Sequence, residues 1–207
     1  MRSDSKPAGQ RSGSFTEAAR REQIVRGAVT VLAGKGYGGT SLQAIADHLG
    51  ISKGVISYHF AGKAEVLHEV VRYVLAQAEA WMTPRVAAAG SFTAALRIYV
   101  TSNLAFLDNH RDEMVALTEV LANARSTPGV PELFGQSQHE AVAALQKLLE
   151  GGQQAGEFGA FSGRAAAVAL RGAIDSSTGL MQQNAAFDVA AFSTELVDFF
   201  VKAARQR

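Results

Sequence analysis

The sequence predicts an all-α protein in which a small N-terminal helix-turn-helix domain precedes a larger helical domain. Apolar residues recur at three- and four-residue spacing along most of the chain, and no stretch alternates as a strand would. Short breaks that contain glycine or proline separate the periodic segments. With 207 residues, 47% of them apolar, the chain can bury a sizeable core.

The composition excludes several classes of protein. The chain has no cysteine, which excludes a disulfide framework, and no apolar run approaches membrane-spanning length. Residues 1–13 are polar and no apolar stretch follows them, unlike a secretory signal. We therefore expect a cytoplasmic protein without a membrane partner.

Charge is divided unevenly along the chain. The formal net charge is +1, yet residues 1–67 carry nine Lys and Arg against five Asp and Glu, which gives +4. The remainder carries 11 against 14, which gives −3. A basic first third indicates contact with phosphate groups, which dominate the affinity of proteins for nucleic acid. A basic surface that is only solvated explains the same charge equally well.

The first three predicted helices are marked by capping residues and glycines. Helical periodicity runs from Glu17 to Ala33 before two glycines end it. Thr40 or Ser41 caps a second short helix that stops at Gly50. Ser52 then caps a third, which covers residues 53–58. Two short helices joined through a glycine turn are a candidate helix-turn-helix motif.

Six further helices are predicted after this motif. A fourth begins at Lys63 and ends at Met82, because Pro84 prevents its continuation, and it is long enough to join two domains. The breaks that follow are short or rich in glycine, the last being Gly151–Gly156. The remaining helices are predicted at Ser91–Asn109, Arg111–Asn123, Pro131–Glu150, Ser162–Asn184 and Asp188–Arg205.

The stretch from Thr40 to Leu67 carries an ordered set of residues. After Thr40 come Ile45 and Ala46, then Gly50 to Gly54, then Tyr58, His59 and Phe60, and finally Lys63 and Leu67. In this order and spacing the stretch resembles the DNA-binding region of TetR-family transcriptional regulators. The resemblance implies three parts: a disordered basic arm (residues 1–15), a helix-turn-helix DNA-binding domain (16–62) and a ligand-binding and dimerisation domain (63–207).

A recognition helix must present small or polar groups to the major groove while its other face packs on the preceding helix. The base-contact candidates are Lys53, Gly54, Val55 and Ser57. Residues that contact phosphates set the register without reading bases, and the candidates are Thr40, Ser52, Tyr58, His59 and Lys63. The family commonly has a tyrosine in place of Ser57, which makes Tyr58 the stronger phosphate donor.

The last two predicted helices are candidates for a dimer interface. The first of them is rich in small residues, and glycine inside a helix indicates close approach by another element. In the family these helices form a four-helix bundle across a twofold axis; ordinary packing within one chain is the alternative. The interface candidates are Ala169, Gly172, Ala173, Ser176, Phe192, Leu196, Phe199 and Phe200. Arg171 and Asp175, four residues apart, are expected to form an ion pair nearby.

The resemblance also implies a ligand cavity in the C-terminal domain. Each candidate residue fits a plain hydrophobic core as well as a cavity wall. The apolar majority among them indicates a hydrophobic or amphipathic small molecule. The candidates are Trp81, Phe92, Tyr99, Asn103, Phe106, Met114, Leu117, Phe134 and Met181.

The function expected from the resemblance is that of a ligand-responsive repressor. It binds a palindromic double-stranded DNA operator as a homodimer and is released by a small-molecule effector. No catalytic motif and no metal-binding motif occurs, so we expect no enzymatic activity, no metal and no cofactor. A turn around His110 is preferred over a metal site. The alternatives are a helical small-molecule-binding protein or enzyme with an incidental helix-turn-helix, and a TetR-like activator.

Overall fold

The computed structural model describes residues 8–184 and 186–205. Within these residues the chain is entirely helical, apart from its turns. The helices are α1 (Ala8–Gly39), α2 (Leu42–Leu49), α3 (Lys53–His59), α4 (Lys63–Ala87), α5 (Phe92–Asn109), α6 (Arg111–Ala122), α7 (Val130–Gln154), α8 (Gly163–Gln183) and α9 (Val189–Ala204), with a 3₁₀ turn at Ala124–Ser126.

Capping residues fix the ends of the two short N-terminal helices, as predicted. The Ser41 hydroxyl accepts a hydrogen bond from the Ala44 amide (3.0 Å), and Gly50 ends α2 in the left-handed conformation with a φ of 65°. The Ser52 hydroxyl accepts from the Val55 amide at the start of α3. The second and third predicted helices are therefore confirmed.

The first helix differs from the prediction at its start. The backbone of α1 is already helical at Ala8, ahead of the predicted start at Glu17. The regular helix ends at Gly36, whose φ of 66° is left-handed, in agreement with the prediction of a glycine stop. Residues 8–15 of the predicted disordered arm belong to α1, whereas residues 1–7 lie outside the described residues, where the arm stays a prediction.

Two predicted helix ends are wrong. α4 continues beyond Pro84 to Ala87, where the Arg85 guanidinium donates to the Trp81 carbonyl (2.6 Å) and lies 3.8 Å from the centre of the Trp81 ring. These contacts stabilise the last turn of α4, so the helix does not end at Pro84.

The predicted break at Gly151–Gly156 begins too early, because α7 runs through Gly151 and Gly152 to Gln154. A side chain at Gly152 would collide with the buried ring of Phe158, and one at Gly151 would collide with the ring of Phe92. These glycines therefore permit close packing and do not end the helix.

Two hydrophobic cores meet along α4. The first joins α1, α2 and α3 to the part of α4 that ends at Val71, and it also takes in residues of α6 and α7. The second begins at Val74 and joins α4 to α5, α6, α7, α8 and α9. Tyr73 and Leu117 pack against both cores. The predicted domain boundary after residue 62 follows the turn before α4, whereas the packing of the N-terminal core continues into α4.

Candidate functional site

α3 has one buried face and one exposed face. Ile56 is fully buried in the N-terminal core and anchors the helix. Lys53, Gly54 and Ser57 are exposed, and Val55 is half-buried. All four predicted base-contact residues thus lie on or beside the outward face of a short helix, which is the arrangement that entry into a major groove requires.

Three predicted phosphate contacts surround this face. Tyr58 is 82% exposed, the most exposed of the large hydrophobic side chains in the described residues, and its ring meets the His59 ring edge-on at 5.0 Å. Ser52 is exposed, although its hydroxyl also caps α3. His59 is half-buried, and its Nδ1 atom is buried without a hydrogen-bond partner in the part of the chain that the structure describes.

The other two predicted phosphate contacts lie outside α3 and bond to the turn at the end of α1. Thr40 is only 2% exposed, and its hydroxyl donates to the Gly36 carbonyl (2.8 Å), so it supports the turn after α1 and does not face outward. The Lys63 ammonium donates to the Tyr37 carbonyl (2.7 Å) and lies 4.0 Å from the centre of the Tyr37 ring. Lys63 is half-buried at the first position of α4.

A cluster around Arg21, which sequence reasoning missed, holds the end of α3 in place. The Arg21 guanidinium donates to the His59 carbonyl and to the Glu65 carboxylate (3.1 Å), and it lies 4.1 Å from the centre of the Phe60 ring. The Glu65 carboxylate also accepts from the Ala61 amide (2.7 Å). Arg21 therefore ties α1 to the C-terminus of α3 and to the first turn of α4.

The same cluster changes the acidity of Glu65. The hydrogen bond from the Ala61 amide, followed by that from Arg21, stabilises the carboxylate and lowers the pKa of Glu65 below its ordinary value. No local signal predicts this pairing, because 44 residues separate the two partners and only the fold brings them together.

A small cleft opens in the C-terminal domain between α6 and α8, bordered by the end of α5. Its volume is about 170 Å³. We call it the α6–α8 cleft. Two predicted cavity residues, Met114 and Met181, line it. The full lining is Leu107, Arg111, Met114, Val115, Thr178, Met181 and Gln182.

The other predicted cavity residues are dispersed. Trp81 and Phe106 pack against each other, with ring centres 6.2 Å apart, and the Trp81 indole donates to the Ser102 carbonyl (3.1 Å). Phe92 lies at the far end of α5, beside Gly151. Leu117 packs between the two cores, and Phe134 is half-buried on α7.

Tyr99 and Asn103 belong to a polar cluster between α5 and α8. The side chain of Arg171 is 15% exposed and donates to the Tyr99 hydroxyl (3.2 Å) and to the Asn103 amide oxygen (3.0 Å). It also forms the predicted ion pair with Asp175, at 2.5 Å. Because these four side chains satisfy one another, the cluster fastens α8 to α5.

The predicted dimer residues are divided between exposed positions of α8 and α9 and positions that pack against the second core. Ala169, Gly172 and Ser176 are exposed and Ala173 is half-buried, whereas Phe192, Leu196 and Phe200 are half-buried against the second core. Phe199 is 66% exposed. Val168 and Leu180, which were not predicted, add exposed apolar surface to α8. A side chain added at Gly172 would meet no atom of its own chain within 4 Å.

The turn around His110 has a structural role. The His110 ring stacks on Phe106, with ring centres 4.1 Å apart, and its Nδ1 atom lies 2.9 Å from the Phe106 carbonyl. Over residues 8–184 and 186–205, no group of three or more metal-binding side chains comes together. None of the helices in these ranges is long and apolar enough to cross a membrane.

Comparisons with known proteins agree with this geometry. Residues 24–70 match the model of the family of bacterial regulatory proteins called the tetR family. The HTH-type transcriptional regulator BetI of Vibrio vulnificus is 36% identical over 66 residues, which are 32% of this chain and 33% of BetI. The chain thus matches about a third of the length of this curated relative.

Two solved structures show the fold over nearly the whole chain. The fatty acid degradation regulator FadR of Bacillus halodurans superposes with a TM-score of 0.78 at 20% identity, covering 91% of this chain and 97% of FadR. FadR of Bacillus subtilis, solved in complex with stearoyl-CoA, gives a TM-score of 0.77 at 21% identity, covering 89% and 99%. Residues 24–70, which contain the helix-turn-helix, are therefore similar to the tetR family, and the chain shares its overall fold with the two FadR regulators.

Proposed function

We propose that this protein is a transcriptional repressor that binds a palindromic operator as a homodimer and releases it when a hydrophobic or amphipathic effector binds. The observation that carries the proposal is the outward face of α3. Lys53, Gly54 and Ser57 are exposed there above a buried anchor, Ile56, and Tyr58 stands beside them. A helix arranged in this way fits the major groove.

The residues on and around α3 make different contacts with DNA in this proposal. Lys53 donates to guanine or to a phosphate, Ser57 both donates and accepts, and the methyl groups of Val55 contact thymine. Gly54 allows the backbone to approach the bases. Tyr58, His59, Ser52 and Lys63 contact phosphates, with Lys63 beside the free amides that begin α4. Thr40 joins this set only if its buried hydroxyl leaves Gly36.

Homodimerisation supplies the second recognition helix. One helix-turn-helix contacts few base pairs, and a twofold dimer places a second helix about 34–36 Å away on the same side of the duplex. The exposed apolar side chains of Val168, Leu180 and Phe199, together with the open space around Gly172, support an interface on α8 and α9. We assign a second copy of the chain as the partner on this surface, because in a twofold dimer the same surface of each copy contacts the other.

The α6–α8 cleft is the proposed entrance for the effector. Its walls are mainly apolar and include one arginine, one threonine and one glutamine, which suits an amphipathic molecule. Its volume of about 170 Å³ lies below the roughly 300–1,000 Å³ of ligand pockets, so the cleft widens when the effector binds. One relative by fold was solved with stearoyl-CoA, which supports a lipid-like effector.

Release follows from linkage between the two sites. An effector that prefers a conformer with the wrong half-site separation weakens operator binding by the same factor by which the operator weakens effector binding. α4 carries the displacement, because it begins at Lys63 beside the DNA-binding face and its later residues pack in the second core.

Selection of bound sequences from random duplex DNA tests DNA recognition directly. We expect a palindromic consensus whose half-sites are about one helical turn apart. Lys53→Ala should weaken binding to the selected duplex and relax its sequence preference, at a cost of about 1–3 kcal/mol. Lys35→Ala is the matched control, since Lys35 is an exposed lysine of the same domain that lies outside α3. Failure to enrich any sequence would overturn the proposal.

Screening lipids, acyl thioesters and sterols for release of the selected duplex tests effector control. Val115→Trp places an indole in the α6–α8 cleft and should abolish release while the duplex still binds. Thr101→Trp adds the same indole on the exposed side of α5 and should respond like the wild type. Transcription in vitro from a promoter that overlaps the selected site then distinguishes repression from activation.

A further inference from the structure

Tyr37 joins three parts of the fold. Its amide donates to the carboxylate of Glu119 on α6 (2.7 Å), and its carbonyl accepts from the ammonium of Lys63 on α4 (2.7 Å). Its ring lies under the same ammonium at 4.0 Å, and its hydroxyl is 3.5 Å from the hydroxyl of the buried Thr127. We call Tyr37, Lys63 and Glu119 the Tyr37 junction.

The Tyr37 junction fixes the position of the Lys63 ammonium but does not use all of its hydrogen-bond donors. An ammonium group has three N–H donors, and only one of them is given to the Tyr37 carbonyl. The Tyr37 ring attracts the same charge through a cation–π contact. Within the described residues two donors therefore remain at the N-terminus of α4, held where a phosphate is expected to lie.

The position of Tyr37 depends in turn on α6. The preceding residue, Gly36, has a left-handed backbone, and a side chain there would approach the Glu119 carboxylate to 3.2 Å. Glycine thus allows the Glu119 carboxylate to reach the Tyr37 amide. Thr40 holds the other side of the turn through its bond to the Gly36 carbonyl.

The same α6 also forms one wall of the α6–α8 cleft. Met114 and Val115 line the cleft, and Thr118 accepts a hydrogen bond from Gln182 of α8 (3.3 Å). The next residue along the chain is Glu119. The carboxylate that holds Tyr37 therefore stands one residue away from a side chain that contacts α8.

We propose that Tyr37 and Glu119 are positioning residues for the contact between Lys63 and a DNA phosphate. The inference rests on the proposed function, since it requires that Lys63 contacts DNA. The positioning concerns a single phosphate contact and leaves base reading by α3 unaffected.

The test is the salt dependence of affinity for the selected operator duplex, measured for the full-length protein by fluorescence anisotropy. Lys63→Ala should lower the slope of log K against log salt by about one unit, with little change in sequence preference. Glu119→Ala should lower it by nearly as much, and the double variant should lose no more than Lys63→Ala alone, because both substitutions remove one contact.

The control must match the change in charge. Asp112→Ala removes an acidic side chain from an exposed position of the same helix, away from Tyr37, and should leave the slope at the wild-type value. Glu119→Gln keeps an oxygen that can accept from the Tyr37 amide and should restore most of the slope. A role limited to holding the two domains together would change stability and leave the slope unchanged.

The outcomes separate the inference from the function on which it rests. If the wild type binds no duplex, both fail. If Lys63→Ala lowers the slope and Glu119→Ala, when folded, does not, the inference alone is overturned. If Glu119→Ala does not fold, Tyr37→Leu decides, since it keeps the backbone carbonyl and removes the ring under the ammonium: loss of slope supports the inference and a wild-type slope overturns it.

Discussion

The N-terminal domain and the C-terminal domain differ in where their functional side chains lie. In the first, most candidate residues lie on or beside the outer face of α3, and Arg21 holds the end of that helix. In the second, most candidate residues belong to the hydrophobic core, and only Met114 and Met181 reach the α6–α8 cleft. The proposed DNA-binding face is thus already exposed in the folded chain, whereas the proposed effector site would have to open within a packed core.

The largest expected effect tests whether the two cores unfold separately. Phe60→Ala in the N-terminal core should cost about 3–5 kcal/mol of unfolding free energy, and Leu170→Ala in the second core about 2–5 kcal/mol, since both side chains are almost fully buried. Because α4 belongs to both cores, we expect one cooperative transition in urea that either substitution shifts as a whole.

Tyr58→Ala is the control for Phe60→Ala. The exposed tyrosine should change the unfolding free energy by no more than about 0.5 kcal/mol while it weakens DNA binding. Two separate transitions, with Phe60→Ala shifting only one of them, would contradict the view that the cores are continuous.

The second prediction contrasts the exposed aromatic side chains of the two domains. Phe199→Glu should weaken self-association at least tenfold, about 1.4 kcal/mol, because it places a carboxylate in the proposed dimer surface. Operator affinity should fall with it. Tyr58→Glu makes the same change on α3 and should lower operator affinity while leaving the mass in sedimentation velocity unchanged. If the Phe199→Glu variant stays dimeric, the interface does not lie on this face of α9.

Local signals explain why so much of the N-terminal domain is predictable. Ser41, Ser52 and Gly50 act within a few residues of their own positions, so the ends of α2 and α3 follow from sequence alone. The alternation of the exposed Ser57 with the buried Ile56 likewise follows from helical periodicity. The contacts of Arg21 could not be predicted in this way, because its partners lie 38 and 44 residues further along the chain.

Long-range packing explains why the C-terminal domain is less predictable. Gly151 and Gly152 resemble a helix stop in sequence, but the rings of Phe92 and Phe158 occupy the space above them and the helix continues. A cavity depends in the same way on which apolar side chains meet across α5, α6 and α8. Residue type cannot distinguish Met114, which lines the cleft, from Phe106, which packs on Trp81.

The third prediction concerns Gly172, a glycine of the proposed dimer interface. Gly172→Ala should raise the unfolding free energy of the isolated chain by about 1 kcal/mol, because alanine favours a helix interior and nothing in the chain obstructs it. It should at the same time weaken dimerisation, since the added methyl group keeps the partner helix at a distance. The two effects are measured by thermal unfolding at low protein concentration and by sedimentation equilibrium.

Gly135→Ala is the matched control for this substitution. Gly135 also lies inside a helix, α7, with open space around it, but outside the proposed interface. It should give the same gain in stability and leave dimerisation unchanged. If the two variants have equal dimerisation constants, no partner helix packs closely against α8 at Gly172.

The smallest expected effect is a loss of folding stability at acidic pH, to which both domains contribute. Glu65 caps the turn before α4, and Glu157 accepts from the amides of Phe92 and Thr93 at the start of α5. The pKa of each carboxyl is lowered, first by its backbone hydrogen bonds. The unfolded chain therefore binds these protons more tightly, and the stabilisation is present above the ordinary value of 4.5 and lost as the pH falls through the lowered pKa.

Glu65→Gln and Glu157→Gln should each flatten the decline in stability between about pH 5 and pH 3 in urea titrations. Only Glu65→Gln should also weaken operator binding, because Glu65 holds the arginine that ties down the end of α3, whereas Glu157 supports a helix remote from the DNA-binding face. A loss of operator affinity in Glu157→Gln that equals the loss in Glu65→Gln would mean that the position of α3 is set by the stability of the whole chain. The Arg21 cluster would then have no specific part in holding the recognition helix.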